Sequence, residues 1–255
     1  MPLLEVYGVS KRFGGVTALS DVSVGLEKNE IVGLIGPNGA GKTSFFNSIT
    51  GLLPVDSGQI HFTDPVLRLD GLSPERVLRA GVARTFQNLR VFKNMTVCEN
   101  VAIGFHSRTR SGLMDAFLRT PRHRREEKEI FSQSAALLEF IGLDGKENEI
   151  AGSLPYGSQK RLEIARALAS GPKLLLLDEP VAGMNPREKE EISALIRRIR
   201  SEGTAVFIIE HDMRVVMPLC DRVVVMDEGR KIAEGKPAEI RKDPRVIHAY
   251  LGELD

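Results

Sequence analysis

Residues 36–43 read Gly36-Pro37-Asn38-Gly39-Ala40-Gly41-Lys42-Thr43, a complete G-x-x-x-x-G-K-[ST] run. It stands between an apolar segment of strand character, Ile31 to Ile35, and a helix-forming run, Thr43 to Thr50. Strand, glycine loop and helix in that order form the setting in which this spacing cradles the phosphates of a nucleoside triphosphate. The glycines let successive backbone N–H groups turn inward. Lys42 reaches the terminal phosphates, and Thr43 offers a hydroxyl to Mg²⁺ at a helix N-terminus that favours anions. Ser44, next on the helix, is counted with the loop among the nucleotide-contacting residues. At average residue frequencies the pattern arises by chance in on the order of one in a hundred chains of this length. The plain alternative is a glycine-rich turn with a surface lysine, and the strand before the loop argues against it.

The chain has 255 residues, 42% hydrophobic and 27% charged, enough for one sizeable core with room for a subdomain. Its 35 Lys and Arg against 34 Asp and Glu leave a net charge of +1, which gives no electrostatic reason to expect a nucleic-acid partner. Cys98 and Cys220 belong to no C-x-x-C, so neither a disulfide framework nor a cysteine metal site is expected, and a reducing cytosol fits. The start, Met1-Pro2-Leu3-Leu4-Glu5, lacks a basic region followed by an apolar stretch. Aliphatic runs such as Leu174 to Leu177 are too short to cross a bilayer. Any work at a membrane is expected to be that of a peripheral subunit.

Along the chain, Leu3 to Val9, Val22 to Leu26 and Gln59 to Phe62 read as strands, the last after the turn Asp56-Ser57-Gly58. From about Val97 to Gly142 the pattern changes to helical spacing with many charges, which predicts a helical insert or subdomain. An α/β alternation then resumes: a helix to about Ser170, a strand Lys173 to Asp178, a helix Arg187 to Ser201 and a strand Ala205 to Ile209, implying a parallel sheet. A hairpin of Arg222 to Met226 and Lys231 to Ala233, turning through Asp227-Glu228-Gly229-Arg230, precedes short C-terminal helices.

Leu174-Leu175-Leu176-Leu177-Asp178-Glu179-Pro180 is a buried-strand pattern that ends in two carboxylates, where an open α/β sheet faces its ligand crevice. Asp178 suits a magnesium shell, through water, because Mg²⁺ takes hard oxygen ligands and keeps much of its hydration. Neighbouring side chains on a strand point opposite ways, which leaves Glu179 to polarise an attacking water. His211 follows Phe207-Ile208-Ile209-Glu210 at the same relative height as Asp178 if the two strands are parallel neighbours, within reach of a terminal phosphate. Gln87 follows a predicted edge segment, Val82 to Phe86, and supplies an uncharged amide where the β-rich portion gives way to the helical one. Phe13, in Lys11-Arg12-Phe13-Gly14-Gly15, presents a ring that can stack on a purine.

These residues, together with Leu154-Pro155-Tyr156-Gly157-Ser158-Gln159-Lys160-Arg161-Leu162-Glu163-Ile164-Ala165-Arg166-Ala167-Leu168, resemble the nucleotide-binding subunits of ABC transporters over essentially the whole chain. The second segment looks like the family's signature, usually opening Leu-Ser-Gly-Gly-Gln, with Pro155 in place of the serine and Ser158 in place of the glutamine. The resemblance implies an α/β P-loop NTPase of the ABC type, with a β-rich N-terminal subdomain, a parallel-sheet core and a helical subdomain. The whole chain is then one nucleotide-binding domain, with about 1–87 and 156–255 as ATPase core and about 88–155 as helical subdomain. It makes Phe13 the adenine-stacking aromatic and Gln87 the lid glutamine that senses magnesium and the membrane partner. Asp178 and Glu179 become the metal-binding and water-activating acids, and His211 the switch histidine. Tyr156, Gly157 and Ser158 meet a phosphate, and Ala182-Gly183-Met184-Asn185 is the loop that communicates across a dimer.

By the same resemblance ATP and Mg²⁺ are the ligands. A single chain cannot complete its own site, so two cassettes are expected to pair head to tail, as a homodimer or with a related ATPase. Gly183-Met184-Asn185-Pro186, Ile209-Glu210-His211-Asp212-Met213 and the ending Ala249-Tyr250-Leu251-Gly252 look most like the larger ATPase subunit of branched-chain amino-acid importers. That subtype implies two integral permease subunits, an extracytoplasmic amino-acid-binding protein and a place on the cytoplasmic face of the inner membrane. The insert Phe105 to Glu129 carries Leu113, Met114, Phe117 and Leu118 within a basic stretch, Arg108, Arg110, Arg119, Arg122, Arg124 and Arg125. It is read either as a surface for anionic headgroups or membrane subunits, or as a solvated amphipathic hairpin. Lipid or lipopolysaccharide export and a non-transport ABC ATPase remain the alternative functions.

Overall fold

The computed structural model describes residues 2–109 and 120–251. Its contacts cluster into two units, residues 1–84 with 173–255, and residues 85–172. The sequence reading grouped 156–172 with the ATPase core. The structure groups that stretch with 85–155, because the signature helix buries its apolar stripe on helices of the second unit.

In the first unit, β1 (Leu4–Phe13), β2 (Val16–Leu26), β4 (Ser57–Thr63) and β5 (Val66–Arg68) form an antiparallel sheet in the order β2-β1-β4-β5. Both opening strands run longer than their alternating patterns suggested, and β5 was too short to leave a pattern. The second sheet has the order β10-β9-β3-β8-β7-β6, from β3 (Ile31–Ile35), β6 (Val82–Arg84), β7 (Leu174–Asp178), β8 (Ala205–Ile209), β9 (Arg222–Asp227) and β10 (Arg230–Gly235). Its pairings are parallel except the β9–β10 hairpin. β3, β7 and β8 are buried at every position, which is why they read as continuous apolar runs rather than alternating ones.

Helices α1 (Lys42–Ile49), α2 (Pro74–Ala80), α6 (Pro186–Ser201), α7 (Met213–Leu219), α8 (Pro237–Ile240) and α9 (Pro244–Leu251) complete the first unit. Phe45 and Phe46 of α1 meet Phe207 of β8 edge to face, with centroids 6.2 and 5.1 Å apart. This geometry suits aromatic quadrupoles and fixes the helix that follows the phosphate loop.

The second unit contains α3 (Val97–Gly104), α4 (Pro121–Phe140) and α5 (Tyr156–Ala169). α3 starts at a capping box in which Thr96 and Glu99 satisfy each other's backbone N–H, a device worth about 1 kcal/mol. The predicted helical stretch thus divides into α3 and α4. Arg110, Leu113, Met114, Phe117, Leu118 and Arg119 of the basic insert, and Gly252, lie outside the described residues. Arg122, Arg124 and Arg125 fall in the first turns of α4, whose buried positions are Ser134 and Leu138 further along.

Candidate functional site

The register of the parallel sheet lines up the residues on which the site is built. Leu34 of β3 and Asp178 of β7 both pair with Ile209 of β8, so the three form one row across the C-terminal ends of the strands. Just past that row the phosphate loop begins at Gly36, Glu179 follows Asp178, and His211 lies two residues beyond Ile209. The expected pairing of His211 with Asp178 therefore shifts, because Ile209 takes that register position. The imidazole Nδ1 of His211 instead stands 3.7 Å from Glu179 Oε1.

Two backbone features shape the phosphate loop. Gly36 has φ 151, and a Cβ there would stand 2.1 Å from the Met226 carbonyl oxygen, so β9 leaves room for glycine alone. Gly39 has φ 80 and faces open space, with no atom within 4 Å of a Cβ position, a concavity at the turn where a ligand can approach the backbone. Lys42 donates to the carbonyl oxygens of Gly36 at 2.6 Å and Pro37 at 2.7 Å, folding the ammonium back over the loop. α1 starts after Gly41 with no side-chain cap and no acid in its first turn. Its first N–H groups are thus offered to an anion, with Thr43 and Ser44 on the same turn. Asn38 and Gly39 are exposed at the tip, whereas Pro37 and Ala40 are buried beneath it.

The opposite-faces account of the two acids needs correcting. The strand ends at Asp178, and Glu179 adopts φ 48, so a left-handed turn, not strand alternation, separates the carboxylates. Glu179 N–H still donates to Ile209 O at 2.9 Å, which fixes where that turn occurs. Asp178 is buried and accepts from Arg84 Nη2 at 2.8 Å, with both side chains no more than 5% exposed. Arg84 Nη1 donates to Asn47 of α1 at 2.7 Å, and the guanidinium lies 5.6 Å from the Phe46 ring centroid. One arginine on β6 therefore ties the acid-bearing strand to the helix of the phosphate loop. Glu210 is a second buried acid that the sequence did not reveal. Its carboxylate accepts from Val181 N at 3.1 Å and His211 N at 3.2 Å. Burial pushes its carboxyl above the usual range, with those backbone donors pulling it back.

Phe13 ends β1 at the hairpin tip, 52% exposed, with Lys11 Nζ 5.8 Å from its ring centroid, so its outer face is open to a planar partner. In the second unit Gln87 is exposed. Pro155 precedes the first turn of α5, which has neither a side-chain cap nor an acid. Tyr156 is exposed, Gly157 is buried, and Ser158 is buried with its hydroxyl accepting from Arg161 at 3.3 Å. Tyr156 is a third departure from Leu-Ser-Gly-Gly-Gln, beside Pro155 and Ser158.

Residues 19–182, well over half of the chain, match the ABC transporter family. The chain belongs to that family. As a member it is an ATP-binding cassette, the ATPase component of a transporter. Residues 230–255 match a second family, the branched-chain amino acid ATP-binding cassette transporter. The high-affinity branched-chain amino acid transport ATP-binding protein LivG of Salmonella typhimurium is 46% identical over 253 residues, spanning 99% of this chain and 98% of its own length. BraF of Pseudomonas aeruginosa, which bears the same description, is 44% identical over the same shares. A crystal structure of the ADP conformation of an ATP-binding cassette of an ABC transporter superposes with a TM-score of 0.86 at 32% identity, covering 99% of each chain. A nucleotide-free cassette superposes with 0.85 at 33% identity, covering 98% and 99%.

The cassette's own residues fit a magnesium nucleotide. Among the described residues no three of His, Cys, Asp and Glu converge as a metal site. A metal here would draw on the Thr43 hydroxyl, the Asp178 carboxylate, phosphate oxygens and water, the hard-oxygen set that Mg²⁺ takes. No helix among the described residues is long and apolar enough to cross a membrane. The sequence missed Arg84, Asn47 and Glu210. The one available signal was an arginine three residues before Gln87, and nothing local to it names Asp178 as its partner.

Proposed function

We propose that this cassette hydrolyses ATP to drive uptake of branched-chain amino acids, or related amino acids, through separate membrane permeases. Full-length likeness to LivG and BraF, 46% and 44% identical, carries the substrate class. The Glu179–His211 pair beyond the end of β7 supports the chemistry. In this reading the uncapped start of α1 and Lys42 hold the β- and γ-phosphates, and Phe13 stacks on the adenine. Glu179 takes up the proton of the attacking water, and His211 holds the γ-phosphate. Thr43 and Asp178 would hold Mg²⁺, which when bound would draw charge off the phosphate oxygens, and Gln87 serves as the lid glutamine. Tyr156, Gly157 and Ser158, at the start of α5, serve the phosphate of the opposing cassette, so two cassettes close around two ATP molecules and part after hydrolysis.

The complex then comprises two permeases, this chain paired with a sister ATPase or with itself, and an extracytoplasmic binding protein. It works at the cytoplasmic face of the inner membrane. The test is capture of partners by a Glu179→Gln variant held with ATP, from gently solubilised native membranes. Two stoichiometric integral permeases are expected. Recovery in the soluble fraction with ribosomes or nucleic acid would overturn the transport reading and leave the ATPase standing.

A further inference from the structure

The loop that carries Gln87 is held neither in a sheet nor in a helix. Its backbone is bonded instead to buried side chains of the second unit. Lys160 of α5 directs its ammonium at the carbonyl oxygens of Phe86 and Gln87, 3.5 and 3.3 Å away. Three residues on, Glu163 accepts Arg90 N–H at 3.1 Å, and its other oxygen lies 3.6 Å from the Lys160 ammonium, with both side chains 3% exposed. Asn100 of α3, fully buried, accepts Phe92 N–H at 2.8 Å and donates back to Phe92 O at 3.0 Å. The Arg90 guanidinium lies over the Phe86 ring at 4.2 Å, and Arg166 of α5 over Phe92 at 5.2 Å.

A lysine and a glutamate this deeply buried are a poor source of stability, because desolvating both charges offsets their attraction and an apolar pair of the same volume commonly serves as well. What the apolar pair would not do is bond the backbone of a loop. Positions three apart share one helix face, and both side chains of this face reach residues 86–90. The same helix opens with Tyr156, Gly157 and Ser158, so two turns of α5 carry both the signature segment and the anchors of the Gln87 loop.

We propose that Lys160 and Glu163 are positioning residues for Gln87, locking its loop to the signature helix so that Gln87 and the signature segment take up their places as one body. This rests on the reading of Gln87 as the lid glutamine of an ATP cassette. Loss of the clamp would lower the fraction of molecules with Gln87 correctly placed and leave the phosphate loop and Phe13, which belong to the first unit, untouched. The turnover number falls while the KM for ATP holds.

The purified full-length chain tests this in two ways. The first is a double-mutant cycle of steady-state ATP hydrolysis with Gln87→Ala and Lys160→Met. Lys160→Met alone is expected to lower kcat about tenfold, within the range for residues sharing one hydrogen-bond network. Its KM should stay within about twofold, and it should add no further loss once Gln87 is alanine. Losses that multiply, an unchanged kcat, or a change confined to KM would each overturn the proposal. Should Lys160→Met not fold, Glu163→Met, which removes the acceptor for Arg90 N–H, runs the same cycle. The second is amide hydrogen exchange of the wild-type chain, where Arg90 and Phe92 should be protected as strongly as the middle of α5. Exchange of these amides at the rate of an unfolded chain overturns the clamp whatever the kinetics. Protected amides combined with no effect of Gln87→Ala on turnover would instead sink the lid reading of Gln87.

Discussion

Glu179 sits one residue past the end of β7 at φ 48, a conformation that costs a non-glycine residue about 1–3 kcal/mol. The strain turns its carboxylate out of the strand toward His211, leaving Asp178 buried behind it. Arg84 is the counter-charge that lets Asp178 stay buried, since an isolated carboxylate in that setting would be far too costly. Replacing Arg84 by methionine keeps much of the volume but removes that buried counter-charge. A loss of about 3–5 kcal/mol in urea unfolding is expected, the cost of breaking a buried pair from one side. A loss under about 1 kcal/mol, the scale of an exposed pair, would show that the pair is solvated. Lys42, Asp178 and Glu179 were legible because each lies inside a local pattern. Arg84, Asn47 and Glu210 were not, because what defines them is a partner as many as 94 residues away. The turn at Glu179 is likewise a property of backbone torsion that no residue type announces.

At the scale of elements, the phosphate loop separates two kinds of glycine. Gly36 is confined by the β9 backbone, whereas Gly39 borders open space. Gly36→Ala should therefore disturb the β3–β9 junction and lower the thermal midpoint strongly. Gly39→Ala should fold with a penalty of about 1–2 kcal/mol, the cost of a left-handed non-glycine residue, and lose nucleotide affinity. Thermal unfolding and nucleotide titration of both variants check this, and equal effects on both readouts would contradict it. β3, β7 and β8 were readable as continuous apolar runs. β5 and α2, three and seven residues long, were too short to carry a period. The signature helix was placed correctly in sequence, but its grouping with α3 and α4 depends on which helices cover its apolar stripe, and that is decided by tertiary packing.

Across the whole molecule, the ion pairs of the first unit set how its stability responds to acid. Asp212 caps α7, and its hydrogen bonds to Lys189 and Arg214 hold its carboxyl far below the usual range. Asp64, bonded to Lys173 and Lys28, is lowered to about 2. A carboxylate lowered on folding contributes stability that is complete above the unfolded value of about 4 and is lost as pH falls toward the folded value. The stability gap between wild type and Asp212→Asn should therefore be constant from neutral pH to about pH 5 and shrink below about pH 4. Urea midpoints along that series check it, and a gap that widens in acid would refute the pairing. The phosphate loop and the signature-like segment were enough for the resemblance to ABC cassettes, and the family match bears it out. The cargo class was accessible only through likeness, first of short segments and then of whole relatives. The most direct test is uptake of labelled leucine into proteoliposomes that hold the purified complex, ATP inside and the binding protein outside. Wild type should accumulate leucine only with ATP, while Glu179→Gln should retain ATP and fall by about 10²–10⁴, the contribution of a positioned general base. ATP hydrolysis without leucine accumulation, or uptake unchanged by Glu179→Gln, would contradict the account.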